Sequence, residues 1–180
     1  MKRIYVQEVP QHVGKEVLVK GWVASRRDHG GLIFIDVRDH TGIVQVTIQP
    51  EQKDAFATAE QLRDEFVVAV TGAVKERDAT LQNKNIETGA VEVFASNVTV
   101  LNKSDTPPIQ VNTTQIINEE HRLKYRYLDL RRPKMQHILK RRSEYYEVLR
   151  AYMKKNDFVE VTTPILANSS PEGSRDFLVP

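Results

Sequence analysis

Residues 30–49, GGLIFIDVRDHTGIVQVTIQ, alternate apolar and polar side chains with the two-residue period of a half-buried strand. Ile33, Ile35 and Val37 share one face, and beyond a turn at His40-Thr41-Gly42 so do Val44, Val46 and Ile48, which predicts a hairpin with a common core face. The opposite face carries Leu32, Phe34, Asp36 and Arg38, then Ile43, Gln45, Thr47 and Gln49, so an aromatic ring stands among polar groups. Three further runs of the same kind, 16–24, 66–74 and 91–100, bring the predicted strands to five. Between the third and fourth lies PEQKDAFATAEQLRDE, where Ala55, Ala59 and Leu62 recur at helical spacing and Pro50 suits a helix start.

Three strands, a helix and two strands in about a hundred residues is the element order of an OB-fold barrel, although strand count alone also fits other small barrels. The polar loop KERDATLQNKNIETGA, joining the fourth and fifth strands, lies where such barrels extend a loop towards a ligand. Thr106-Pro107-Pro108 ends the barrel, because consecutive prolines continue neither strand nor helix. The predicted division is therefore a barrel over 1–103, a linker or hinge over 104–132 and the start of a second, α+β domain over 133–180. A short helix is predicted near 118–125. A long one runs from Pro133 to about Asn156 with an apolar stripe of Met135, Ile138, Leu139, Tyr146, Leu149 and Met153. A strand from Phe158 closing on Pro164 follows.

Charge changes the picture only locally. Residues 1–103 carry 13 Lys and Arg against 14 Asp and Glu, whereas 104–180 carry 13 against 10. Between Arg122 and Arg142 nine basic residues face the single acid Asp129. That concentration attracts polyanions, and it equally fits a solvated helix face. The chain has no cysteine, which excludes a disulfide framework and thiolate metal ligands. With no apolar run of membrane-spanning length and no apolar stretch at the start, a cytoplasmic protein is expected.

Two pieces of the chain carry a resemblance. RLKYRYLDLRRPKM, followed by NDFVEVTTPILANSSPEGSRDFLVP, resembles the opening of the catalytic domain of bacterial-type aspartyl-tRNA synthetases of class II, and the barrel ahead of it resembles their anticodon-binding domain. The most specific element is RYLDLRR combined with SPEGSRDFLVP, in which Ser170 and Ser174 depart from the commoner TPEGARDFLVP. The resemblance spans essentially the whole chain and implies aspartate–tRNA ligation through aspartyl-adenylate, with ATP and Mg²⁺ serving the complete enzyme. It also implies that the later motifs lie beyond Pro180, which makes the chain the N-terminal part of a longer enzyme, inactive in adenylation by itself. A free-standing OB-fold module that binds nucleic acid, or a unit that only dimerises, is the alternative.

The resemblance assigns roles residue by residue. Phe34 and Gln45 match the positions that read the anticodon loop, joined by Arg27 and Asp28 from SRRDHGG, by Arg77 and by Glu92. A ring on such a face stacks on an unpaired base, and the Gln amide offers donor and acceptor to a base edge; an exposed Phe taken singly is ordinary surface. His29 matches a position that accompanies acceptance of the asparagine tRNA beside the aspartate tRNA. Glu172, in a loop that closes over the amino acid, is implied to meet the ammonium group of L-aspartate, although Pro-Glu-Gly by itself also makes a plain turn. Pro164 is implied at a homodimer interface.

Overall fold

The computed structural model describes residues 1–113 and 115–165. Five strands close into a barrel in the order β1-β2-β3-β5-β4: β1 (Glu16–His29), β2 (Leu32–Arg38), β3 (Ile43–Ile48), β4 (Val67–Glu76) and β5 (Val91–Asn102). All pairs are antiparallel except β3 with β5, which run parallel and close the ring. The predicted barrel and its core face are thus borne out, since Ile33, Ile35, Val37, Val44, Val46 and Ile48 are all buried together with Val19, Val23, Val68, Val70 and Val93. Helix α1 (Lys53–Glu60) places Ala55 and Ala59 in that core, and Leu62 just beyond it is fully buried. It starts three residues after Pro50, so that proline belongs to the preceding turn and is not the first helical residue.

β1 is longer than the alternation indicates, because a strand can leave its core and stay paired. Residues 25–29 lack apolar alternation, yet they continue the β1–β2 ladder from Ser25↔Asp36 to His29↔Leu32 after a bulge between Val23 and Ser25. The hairpin closes on two residues, Gly30 and Gly31, with φ of 61° and 78°. Positive φ at both positions is what a turn matching strand twist demands, and glycine adopts it without a Cβ penalty. A 3-10 stretch, Val6–His12, carries Val6 and Val9 into the barrel core. It is pinned by Asp39, whose Oδ2 accepts from the Val6 amide at 3.0 Å.

The described residues of 104–129 fall in the same compact unit as the barrel, Met1–Asp129. Ile109, Val111 and Leu128 form a small second core with Ile117 and Tyr125 packed on it. Asn112 donates to the Ala24 carbonyl at 3.0 Å and accepts from Arg38, which also grips Glu65 with both carboxylate oxygens at 2.9 Å. Helix α2 (Glu119–Lys124) is capped by Asn118, whose side chain accepts from the Glu120 amide at 2.8 Å. At the end of α3 (Arg126–Asp129) the fully buried Asp129 accepts from Arg122 Nε at 3.1 Å and Arg126 Nη1 at 2.6 Å. These hydrogen bonds, then the attraction of the carboxylate, hold the Arg122 guanidinium above its usual pKa. Two cations of the basic stretch are therefore paired with one buried acid.

The second unit contains α4 (Pro133–Lys155), with Pro133 in its first turn. Its predicted stripe is only partly covered: Ile138, Leu139, Tyr146, Leu149 and Met153 remain 39–46% exposed. Residues 158–165 form no strand ladder, which corrects the strand predicted from Phe158 to Pro164. A strand exists through its neighbours' hydrogen bonds, and no strand of this unit among the described residues supplies them. No helix among the described residues is long and apolar enough to cross a membrane.

Candidate nucleic-acid interface

The outward positions of four neighbouring strands assemble one surface on the barrel. Register aligns Arg27 of β1 with Phe34 of β2, Phe34 with Thr47 of β3, and Thr47 with Phe94 of β5. The adjoining row brings Asp36 of β2 opposite Gln45 of β3, and Glu92 of β5 opposite Lys75 of β4. Arg77 follows β4 directly, held by its amide donating to the Ala90 carbonyl at 2.9 Å. The same long loop is fastened at Thr88, whose hydroxyl donates to the Ile43 carbonyl at 2.5 Å.

A continuous polar network covers this surface. Arg27 donates to Asp36 Oδ1 at 3.1 Å and, at 3.5 Å, to Gln45 Oε1. The Gln45 amide nitrogen in turn donates to Glu92 Oε2 at 3.2 Å, and the Thr47 hydroxyl donates to the same oxygen. Arg77 Nε lies 4.0 Å from Glu92 Oε1, an ion-pair distance too long for a hydrogen bond. Arg77 Nε and Nη1 are buried with no hydrogen-bond partner. Buried guanidinium donors are almost always satisfied, so these two, next to Glu92 at the edge of the network, are unusual.

Gln45 and Thr47, outward-facing by alternation, are nonetheless 7% and 2% exposed. Arg27 reaches Gln45 across β2 from β1, and Glu92 reaches Gln45 and Thr47 from the adjoining β5, an effect a single strand's pattern does not contain. Of the residues singled out in the sequence, Arg27, Phe34, Gln45, Arg77 and Glu92 come together on this face. Asp28 does not join them. It points to the other side of β1 and pairs with Arg26 Nη2 at 2.9 Å. His29 ends β1, exposed at the hairpin tip and on the Phe34 side by alternation. Pro164 lies in the exposed segment after α4, and Glu172 is outside the described residues. Asp36, Thr47, Lys75 and Phe94 were not singled out as site residues. Their outward phase in each strand was the available signal, but cross-strand order was needed to place them beside Phe34.

Residues 17–101 match the OB-fold nucleic acid binding domain family, and residues 118–180 match the tRNA synthetases of class II (D, K and N). Barrel and following segment together define a class II aminoacyl-tRNA synthetase architecture. Within that class, the chain belongs to the aspartyl-tRNA synthetase family. It is 49% identical to an aspartate–tRNA(Asp/Asn) ligase of Legionella pneumophila, over 92% of this chain and 28% of that protein. It is likewise 49% identical to aspartate–tRNA ligase 2 of Streptococcus mutans, over 94% of this chain and 29% of that protein. Among solved structures, asparaginyl-tRNA synthetase from Pyrococcus horikoshii complexed with asparaginyl-adenylate is 32% identical, with a TM-score of 0.81, covering 96% of this chain and 39% of that one. The chain thus spans less than a third of the length of these curated relatives.

Proposed function

We propose that the outer face of β1, β2, β3 and β5 reads the anticodon loop of a tRNA, as the recognition part of an aspartate–tRNA ligase. The observation that carries this reading is the half-buried Phe34 ring, opposite Arg27 and Thr47 in register, on the face covered by the Arg27–Gln45–Glu92 network, with Arg77 next to Glu92. Phe34 stacks on an unpaired base. Gln45 and Glu92 are already hydrogen-bonded to each other, so they meet a base edge in a fixed orientation, and Arg77 supplies donors to a carbonyl or phosphate oxygen. Asp28 and His29 act from the hairpin end, with His29 favouring acceptance of the asparagine tRNA beside the aspartate tRNA.

The whole enzyme forms aspartyl-adenylate from L-aspartate and ATP with Mg²⁺ and passes the aspartyl group to the tRNA. Glu172 holds the substrate ammonium in that reaction. Among the described residues no three His, Cys, Asp or Glu side chains gather into a metal site. The incompletely covered stripe of α4 supports a homodimer in which this helix and the Pro164 segment meet a second copy.

Titration of the chain with anticodon stem-loops of aspartate and asparagine tRNAs tests the reading. Phe34→Ala weakens binding of the aspartate stem-loop by about 1–3 kcal/mol with the fold intact, the range for one lost base–aromatic stack. The unmutated chain binds both stem-loops with similar affinity. Unchanged affinity of Phe34→Ala overturns the anticodon reading, and a strong preference for the aspartate stem-loop overturns the role given to His29.

A further inference from the structure

Phe94 is a second aromatic on the interface, and it lacks the usual reason for an aromatic in a strand. Its neighbours Val93 and Ala95 point into the core and are buried, while Phe94 faces outward and is half-buried. Lys75 occupies the β4 position directly opposite Glu92. A cross-strand ion pair is the ordinary outcome there. Glu92 instead receives Gln45 and Thr47 and lies beside Arg77, and Lys75 places its ammonium over the Phe94 ring, 4.2 Å from the centroid. Among the described residues Lys75 makes no ion pair, and its side chain is exposed. The result is an uncompensated positive charge held in place by a ring instead of roaming on a flexible stem.

Its location gives this arrangement a use. Phe94 shares a register row with Thr47, Phe34 and Arg27, so it stands two strand positions from Phe34, about 10 Å away at ordinary strand spacing. OB-fold barrels engage several successive nucleotides, so a strand anchored by a base on Phe34 and crossing β3 arrives at Phe94 within its footprint. We propose that Lys75, seated on Phe94, is a phosphate-binding station for the RNA strand whose base stacks on Phe34; this rests on the anticodon reading of the same face. The ammonium is a compact point charge suited to a phosphate oxygen, and the ring fixes it before the ligand arrives, lowering the entropy lost on binding.

The test measures affinity of the 180-residue chain for the anticodon stem-loop of an aspartate tRNA across a salt series, for the unmutated protein, Lys75→Gln, Lys75→Arg, Phe94→Leu and Phe34→Ala. Lys75→Gln weakens binding about fivefold at low salt, near the upper end for one exposed ion pair. It also lowers the slope of log K against log salt by about 0.7, the value for one phosphate contact on a single strand. Lys75→Arg keeps the slope, and Phe94→Leu loses affinity while keeping it, because the charge remains but its seat is gone. An unchanged slope in Lys75→Gln, with Phe34→Ala still weakening binding, overturns the phosphate station and leaves the anticodon reading standing. Loss of neither affinity nor slope in both Phe34→Ala and Lys75→Gln overturns the two together.

Discussion

Glu92 shows how one side chain sets the character of the interface. Its carboxylate accepts from Gln45 and Thr47 while standing beside the largely buried Arg77 side chain, so it both orients Gln45 and balances a cation. Removing it leaves the Gln45 amide and Thr47 hydroxyl, both nearly buried, without their acceptor. Glu92→Ala is therefore expected to destabilise the barrel by about 1–3 kcal/mol, the cost of stranding buried polar groups. Urea unfolding monitored at Trp22 checks this, and an unchanged midpoint would show that water replaces the carboxylate fully. Alternation in a single strand discloses that Phe34, Gln45 and Glu92 face outward. It cannot disclose that Gln45 is covered, because the cover comes from residues 18 positions before it and 47 after it.

At the scale of elements, the hairpin of β1 and β2 carries the interface beyond the closed part of the barrel. Arg27 and His29 stand on a stretch with no apolar face of its own, kept extended by the ladder to β2 and by the Gly30-Gly31 turn. Gly31→Ala places a Cβ in a left-handed conformation and is expected to cost about 1–2 kcal/mol. Since the hairpin tip lies outside the core, the loss should fall on tip order, read as faster amide exchange at residues 27–29 with the core amides unchanged. A uniform loss of protection would assign the turn a role in the whole barrel. This extension was not legible in the alternation, which stops at Ala24, although the paired glycines are a hairpin signal in their own right. The 3-10 stretch at Val6–His12 was missed for a related reason, as two buried valines with an internal proline match neither period. By contrast α1 and α4 were legible, because apolar residues at three and four have one helical reading.

Over the whole molecule, the density of positive charge is a poorer guide than its partners. The stretch from Arg122 to Arg142 holds nine cations in the sequence, yet Arg122 and Arg126 converge on the buried Asp129, and Arg141 pairs with Glu144 at 2.9 Å. The barrel, nearly neutral by count, instead exposes Arg27 and Lys75 and keeps two Arg77 donors open on one face. On the proposed function, recognition belongs to the barrel face, and the basic stretch contributes salt-sensitive attraction. Amide chemical-shift mapping of the labelled chain, titrated with an unlabelled anticodon stem-loop of an aspartate tRNA, tests that placement most directly. The largest shifts are expected at Arg27, Phe34, Gln45, Arg77, Glu92 and Phe94, with the amides of α4 little changed. Shifts concentrated along α4, or spread evenly over the chain with the barrel face unaffected, would contradict it.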